Sequence, residues 1–569
     1  MLRPVYTEPA NCQDCYKCVR ECPVKAIRIE NNKANIIDER CVYCGHCTRV
    51  CPTKAKKIRD GLARARMTLF KHPKVYLSLA PSYIGEFPKV KYTTLVSAIK
   101  ELGFAGVSET ALGAEIVTDR TDSFLDNAPK NLYIGSACPV VVEYIRKYAP
   151  HYTQQITPIQ SPMLAHAKML KELYGEDTKV VFAGPCVAKK MEADRHPDLI
   201  DVAITFKELH RWFEDEGIDL EHEQWTSATE GFVPYHSKQG NLYPMENGML
   251  MGMKQREHKV SGMAFSGLEN IASVLRDIPE EAYHNSIFLE LLSCEGGCIN
   301  GPGKLSSLSP AIKRYRVVHQ DEVERPHEFD CKHIDLGETF EKDPGIQPAN
   351  YSEKQIMEAL VRVGKKSRED ELNCSSCGYD SCRDFATALI ENRAEENMCA
   401  SYMRQIAHDK ATVLLQKIPA GVILVNSDLR IVDMNAQCAD MLGTKIQGMY
   451  KALPGLSNVK LKSVVSLEPL FSNVLTTGKE IKERQVKEGD NLLIVSIFNI
   501  QPHHLVFGLL QNLQDPDVRK EWLIEKTREV MKNHLDTVQK VAGILGENAA
   551  FTDATLRAVI EAYDDSESL

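Results

Sequence analysis

No apolar run of about 18 or more residues occurs anywhere in the 569-residue chain, so no membrane span is expected. The opening Met1-Leu2-Arg3-Pro4-Val5-Tyr6 has no apolar core of the kind a secretion signal needs. Excess positive charge is missing too: 78 acidic against 69 basic residues leave a net charge of −9, which argues against a general nucleic-acid binder. Long low-complexity stretches are absent, and 43% apolar with 26% charged residues is ordinary for folded globular protein. At roughly 150 residues per domain, the length suggests about four domains. A cytoplasmic protein is expected, with no membrane or nucleic-acid partner.

What the chain does have is cysteine. There are 18, and they are grouped rather than scattered. Eight fall within the first 51 residues, four lie at 138, 186, 294 and 298, and four lie at 374, 377, 382 and 399. Only Cys331 and Cys438 stand outside these groups. A secreted disulfide protein would show less regular spacing and a leader. Sets made of thiolates alone select iron–sulfur clusters or zinc.

In the first group, Cys12, Cys15, Cys18 and Cys22 precede Pro23, and Cys41, Cys44, Cys47 and Cys51 precede Pro52. This is the C-x2-C-x2-C-x3-C-P run twice over. In such runs three thiolates wrap one cubane and the fourth crosses to the other cluster. Cys12, Cys15, Cys18 and Cys51 are therefore assigned to one [4Fe–4S] cluster, and Cys41, Cys44, Cys47 and Cys22 to a second. Residues 1–57 resemble a bacterial two-cluster ferredoxin, a carrier of single electrons.

A basic helix is expected near 58–72, followed by short β-rich runs alternating with amphipathic helices. Strands are expected at Val75–Leu79, Asn131–Ile134, Lys179–Ala183 and Ser286–Leu292, with a helix at Thr93–Leu102. That alternation predicts an α/β region with mostly parallel pairing. The central cysteines sit at the ends of these strands, in Ser136-Ala137-Cys138-Pro139, Pro185-Cys186-Val187-Ala188-Lys189-Lys190-Met191-Glu192 and Cys294-Glu295-Gly296-Gly297-Cys298-Ile299-Asn300-Gly301. Strand ends and helix N-termini are where α/β folds gather ligands.

Over about residues 70–345 these three motifs resemble the catalytic domain of [FeFe]-hydrogenases. The resemblance implies an H-cluster: a [4Fe–4S] cubane on Cys138, Cys186, Cys294 and Cys298, bridged through Cys298 to a two-iron site with carbonyl, cyanide and a bridging dithiolate. It implies that Lys189 donates to an iron-bound cyanide, that Glu192 is its acidic neighbour, and that Ala80-Pro81-Ser82 lines the two-iron site. The departures are as informative. Efficient family members carry Cys-Cys-Pro at the first motif, where the first cysteine passes protons to the two-iron site. Ala137 stands in that place, and a methyl group exchanges no proton. Gly184 and Leu292 replace usual methionines, and Met163 follows Ser161-Pro162 where glutamine is common. The family's acidic proton-relay segment aligns poorly with Glu115–Asp122, so none of its residues is carried over.

The third group, CSSCGYDSCRDFATALIENRAEENMC, resembles a small [4Fe–4S] domain found in several redox proteins; four thiolates also suit structural zinc. A helix is expected at 400–417, stopped by Pro419. The strands after it, Gly421–Asn426 and Ile431–Asn435, with later ones at 492–499 and 504–513, resemble a PAS sensory domain. Ile524, Met531, Val538 and Leu545 recur every seven residues, as a pairing helix requires.

The expected organisation is multidomain α/β and α+β. It comprises a ferredoxin-like dicluster domain (1–57), an α/β hydrogenase domain (58–345), a small [4Fe–4S] domain (346–402), a linker helix with PAS domain (403–515) and a C-terminal helix (516–569). Four [4Fe–4S] clusters plus the two-iron site are implied. The implied function is a slow, hydrogen-sensing hydrogenase. Its partners would be hydrogen and protons, ferredoxin or another redox protein, maturation enzymes and a downstream kinase, phosphatase or regulator, with the chain a homodimer. Two alternatives stay open: a working ferredoxin-dependent hydrogenase, and a non-catalytic hydrogenase-like iron–sulfur assembly protein.

Overall fold

The computed structural model describes residues 3–512, apart from 130, 223–228, 254–259, 279–285, 321–330, 344–345, 347–349 and 490, together with Met531. The helix expected at 516–569 lies outside the described residues, Met531 excepted. The chain divides into two compact units, Met1–Glu395 and Glu396–Leu569.

The first unit begins with two short thiol loops that repeat each other. Each loop feeds a one-turn helix, Lys17–Arg20 in the first and His46–Val50 in the second. Left-handed backbone recurs at matching places: Asp14 and Tyr43, Tyr16 and Gly45, Lys25 and Lys54. The repeat therefore extends from the cysteines to the turns between them. Gly45 departs from its counterpart Tyr16 for a reason of packing. A Cβ there would lie 2.8 Å from Pro302 Cγ and 3.0 Å from Val187 Cγ2, so this loop touches the central module too closely for a side chain. The ends of the module are tied by Val5–Thr7 pairing antiparallel with Lys56–Ile58.

The α/β region forms two parallel sheets. One has four strands in the order Gly106–Glu109, Val75–Leu79, Lys179–Gly184, Val202–Thr205. The other has three, in the order Val260–Ser266, Ser286–Leu292, Leu132–Ile134. The inner strands are near-continuous apolar runs because helices cover both faces. Leu77, Leu79, Val107, Val180 and Val181 are fully buried in one core. Parallel pairing brings the C-terminal ends of Leu132–Ile134 and Ser286–Leu292 to one edge, and the motif cysteines follow at once.

Two buried polar knots stiffen this unit. Lys190 reaches Glu208 at 2.8 Å and the carbonyl of Ala203 at 2.9 Å, while Glu208 also accepts from Gly61 N and from Thr205 N and Oγ1. That knot ties the chain leaving the thiol module to the strand Val202–Thr205. The second centres on His166, whose ring nitrogens each lie 2.8 Å from a serine hydroxyl, Ser78 and Ser108; burial holds its pKa down to about 3, so it is neutral.

In the second unit a helix, Ala400–Lys417, leads into a five-stranded antiparallel sheet ordered Ile431–Met434, Gly421–Asn426, Leu505–Asn512, Asn491–Gln501, Ile481–Glu488. The helices that lie in the chain between Ile431–Met434 and Ile481–Glu488 cover one face, with Phe471 and Val474 fully buried against Leu493, Val495 and Val506. Buried Asn435 joins the parts: its Oδ1 accepts from Val422 N and Cys438 N, and its Nδ2 donates to the carbonyls of Ala420 and Leu415. Every hydrogen-bonding position of that amide which the fold can reach is used.

No helix among the described residues is long and apolar enough to cross a membrane.

Candidate functional site

Each central cysteine is delivered by a strand end. Cys138 follows Leu132–Ile134 and is the N-cap of the helix Pro139–Tyr148, which Pro139 starts. Cys186 follows Lys179–Gly184 and precedes the helix Ala188–Arg195. Cys294 and Cys298 follow Ser286–Leu292, with Cys298 opening a short turn. Their side chains converge. Burial pushes the Cys186 thiol up to about 11; the neighbouring Cys138 adds to the rise, while Lys189 opposes it. Cys298 is raised by burial and then by Cys138 and Cys186, and Cys294 by burial and then by Cys298, Cys186 and Cys138. Four sulfurs within mutual electrostatic range, that of Cys138 on a buried residue and the others on half-buried ones, are unfavourable as free thiolates. They are the donor set a multinuclear cation needs, because a bound metal deprotonates its thiols outright. The residues fit an iron–sulfur cubane.

The other residues singled out by the motifs are mostly buried. Lys189 is buried, and its Nζ donates to Ser161 Oγ at 2.9 Å and pairs with Glu192 Oε2 at 2.6 Å. Ala80, Pro81 and Ser82 form a buried loop after Val75–Leu79, fixed by Ala80 N donating to the carbonyl of Ala183 at 2.9 Å. Ala137 is half-buried beside Cys138. Met163 is fully buried and Leu292 nearly so. Gly184 has a packing reason: a Cβ there would lie 2.7 Å from the Phe182 ring and 2.9 Å from Ala80 Cβ, so the Phe182 ring and Ala80 crowd that position.

Two supports were not legible from motifs. Glu109, at the end of Gly106–Glu109, accepts from Tyr83 OH at 3.2 Å and from Ser237 N at 2.7 Å, and so braces the chain directly after Ser82. Glu143, almost fully buried, receives Arg195 at 2.6 Å and Arg146 at 2.8 Å. Although burial works against its ionised form, Arg195, Arg146 and Lys147 outweigh it and hold the carboxyl below its ordinary range. A depressed folded pKa contributes stability that is present above the unfolded value, about 4.3, and lost as pH falls through the folded one. Thermal unfolding of Glu143→Gln should therefore show a deficit of about 1.5–3 kcal/mol at neutral pH, shrinking as the pH drops below about 4. A deficit that ignores pH would refute the ion-pair account.

In the N-terminal module, Cys12, Cys15, Cys18 and Cys51 line a cavity of about 20 Å³. Burial raises Cys18 to about 12; Lys56 opposes this, and Cys15, Cys12 and Cys51 add to it. Cys41, Cys44, Cys47 and Cys22 form the other set: burial dominates the rise of Cys41 and Cys44 to about 12, and Cys22 adds to both. The last cysteine of each run thus sits with the first three of the other. The second set borders the central one, since Cys44 is an electrostatic neighbour of Cys294. Arg49 donates across this boundary to the carbonyl of Asn300 at 3.3 Å, and Lys147 to that of Cys41 at 2.8 Å.

Of the third group, Cys374, Cys377 and Cys382 lie in the first unit and Cys399 in the second. Their loop rests on the thiol module: Arg20 donates to the carbonyls of Ser376 and Cys15, each at 3.2 Å, and Lys25 to that of Gly378 at 3.0 Å. Cys382 begins a helix capped by Ser381 and Asp384.

Comparison with known proteins agrees with this donor chemistry. Residues 73–302 match the family described as iron only hydrogenase large subunit, C-terminal domain. The chain is a hydrogenase-like iron–sulfur protein. Residues 11–55 match a 4Fe-4S dicluster domain and residues 370–401 a putative Fe-S cluster family. Iron hydrogenase 1 of Clostridium pasteurianum is 25% identical over 291 residues, which is 40% of this chain and 50% of that protein, so the chain spans half the length of this relative. A cytosolic Fe-S cluster assembly factor of Encephalitozoon cuniculi is 22% identical over 216 residues, 34% of this chain and 58% of that one. A solved [FeFe]-hydrogenase from Chlamydomonas reinhardtii aligns with a TM-score of 0.35 and 19% identity, over 46% of this chain and 89% of that one.

Proposed function

We propose that this protein is a hydrogen-sensing [FeFe]-hydrogenase of low turnover. One observation carries the reading: four cysteines and Lys189 converge at the strand ends, while the residue beside Cys138 is Ala137, which has no exchangeable proton. Cys138, Cys186, Cys294 and Cys298 would hold a cubane, which together with a two-iron site would supply the redox chemistry that relates hydrogen to protons and electrons. The chain's own residues do the rest. Lys189 Nζ, held by Glu192 and Ser161, offers a charged donor to an anionic ligand. The buried Pro81–Ser82 loop would line the two-iron site. Cys44 beside Cys294 marks the exit for single electrons toward the ferredoxin-type module.

The five-stranded antiparallel sheet with one helical flank supports a PAS reading of the second unit. In this reading the redox state of the clusters is passed on to a downstream kinase, phosphatase or regulator. Ferredoxin or another redox protein exchanges the electrons, maturation enzymes load the two-iron site, and the chain acts as a cytoplasmic homodimer.

The similarity to an assembly factor favours one rival, a non-catalytic iron–sulfur protein. Metal content separates the two. Sixteen grouped thiolates at four per cubane hold about 16 irons, and a loaded two-iron site brings the count to about 18. Protein produced with the maturation enzymes is expected to bind about 18 irons and to show infrared bands of iron-bound carbonyl and cyanide. About 16 irons without those bands, at every potential applied, would establish the rival.

A further inference from the structure

We propose that two copies of this chain meet through the first unit, with the exposed Phe70 of each seated in a groove of the other. This inference rests on the homodimer in the reading above and names the surface that forms it.

The helix Leu62–Lys71 buries one face only. Leu62 and Ala65 are inside, whereas Met67 is 51% and Phe70 88% exposed. Met67 and Phe70 are three residues apart, so they stand together on one side of the helix. A single exposed apolar side chain is ordinary. Phe70 is informative because of the hollow beside it. Its neighbour Leu69 lines an open groove of about 380 Å³ together with Leu102, Trp212 and Ile218. The groove is held in shape. Trp212 is buried in the core, and Arg66 lies over its ring at 5.6 Å while pairing with Asp215 at 2.8 Å and Glu216 at 3.5 Å. An aromatic ring can enter a groove of this kind without the cost of ordering its walls.

The charges follow the same division. Lys71 adjoins the knob, and Glu101 stands in the groove wall. Both are exposed, and neither has an ion-pair partner among the described residues. One face thus carries a knob with an unpaired cation and a hollow with an unpaired anion. Two such faces related by a two-fold axis satisfy each other in both directions, ring to groove and Lys71 to Glu101. Self-complementarity of this sort is the condition for an isologous contact. A different partner would leave either the knob or the hollow unused. The ring is the anchor of the contact, and the exposed ion pair adds little affinity but fixes the orientation.

Sedimentation equilibrium of the full, cluster-loaded chain measures the monomer–dimer constant. The unmodified protein is expected to form a reversible dimer. Each dimer holds the contact twice, so Phe70→Asp is expected to weaken it by about 10²-fold or more. Iron content and thermal unfolding should stay as they were, because the side chain lies outside the core. Lys71→Glu is expected to weaken the dimer several-fold, and adding Glu101→Lys to it is expected to restore the original constant. These two exposed positions decide the matter where Phe70→Asp fails to fold. A dimer that withstands Phe70→Asp, or a charge reversal that Glu101→Lys does not rescue, overturns this contact and leaves the homodimer to another surface. An unmodified chain that stays monomeric at every concentration overturns the homodimer and the contact with it.

Discussion

Ala137→Cys is expected to raise hydrogen turnover by about 10²–10⁴-fold, the range a positioned general acid–base group contributes. Residue 137 immediately precedes Cys138 and is half-buried, so the added sulfur is a small demand on packing. A thiol there would give the centre a titratable donor where the chain now presents a methyl. The relevant comparison is between proteins equally loaded, judged by carbonyl and cyanide band intensity and by iron content. A well-folded, fully loaded variant that is no faster would show that proton supply does not limit the unmodified protein. The cubane thiols and Lys189 are untouched by this change, so band positions are expected to stay close to those of the parent.

Lys190→Met is expected to destabilise the first unit by about 3–5 kcal/mol, the cost of removing one partner from a buried ion pair. Lys190 and Glu208 are both buried, and Glu208 would keep its bonds to Gly61 and Thr205 but lose its ion-pair partner. Although Lys190 adjoins Lys189 in sequence, the two serve different ends. Lys189 is held by Ser161 and Glu192 within electrostatic range of Cys186 and Cys298, whereas Lys190 is spent on the carbonyl of Ala203 and on Glu208. Denaturant unfolding of Lys190→Met should therefore fall in midpoint while the infrared signature of any folded, loaded fraction stays in place. A change of less than about 1 kcal/mol would mean that the knot contributes little net stability, as some buried pairs do.

Much of the architecture was legible because its signals are local. The runs Val75–Leu79, Lys179–Gly184 and Ser286–Leu292 are strands in the structure, and Ala400–Lys417 is a helix ending before Pro419. Other strands gave no such signal. Gly106–Glu109 and Val202–Thr205 are four residues each, too short to show a period. Val260–Ser266 carries Gly262 and lies half-exposed at a sheet edge. Ile481–Glu488 reads as a charged segment because it is an edge strand, where charge protects against pairing with another chain. Nor does the alternation of strands and helices announce that the α/β region splits into two sheets, since strand order depends on which segments meet rather than on what each prefers.

From its residues alone, the chain declared its chemistry: thiols at cluster spacing, strands leading to cysteine motifs, a lysine and a glutamate three positions apart on one helix, and a methyl where a proton donor was expected. Those features are set by short stretches of backbone and survive in any reading of the sequence. Tertiary structure alone decided which sulfurs became neighbours across long separations, as Cys44 and Cys294 did, and that Ser161 would reach Lys189. It alone opened the groove lined by Leu69 and Trp212 and set the Phe182 ring against Gly184. The physical reason is that local geometry depends on a few torsions, while these contacts depend on how whole elements pack, a quantity that no single segment carries.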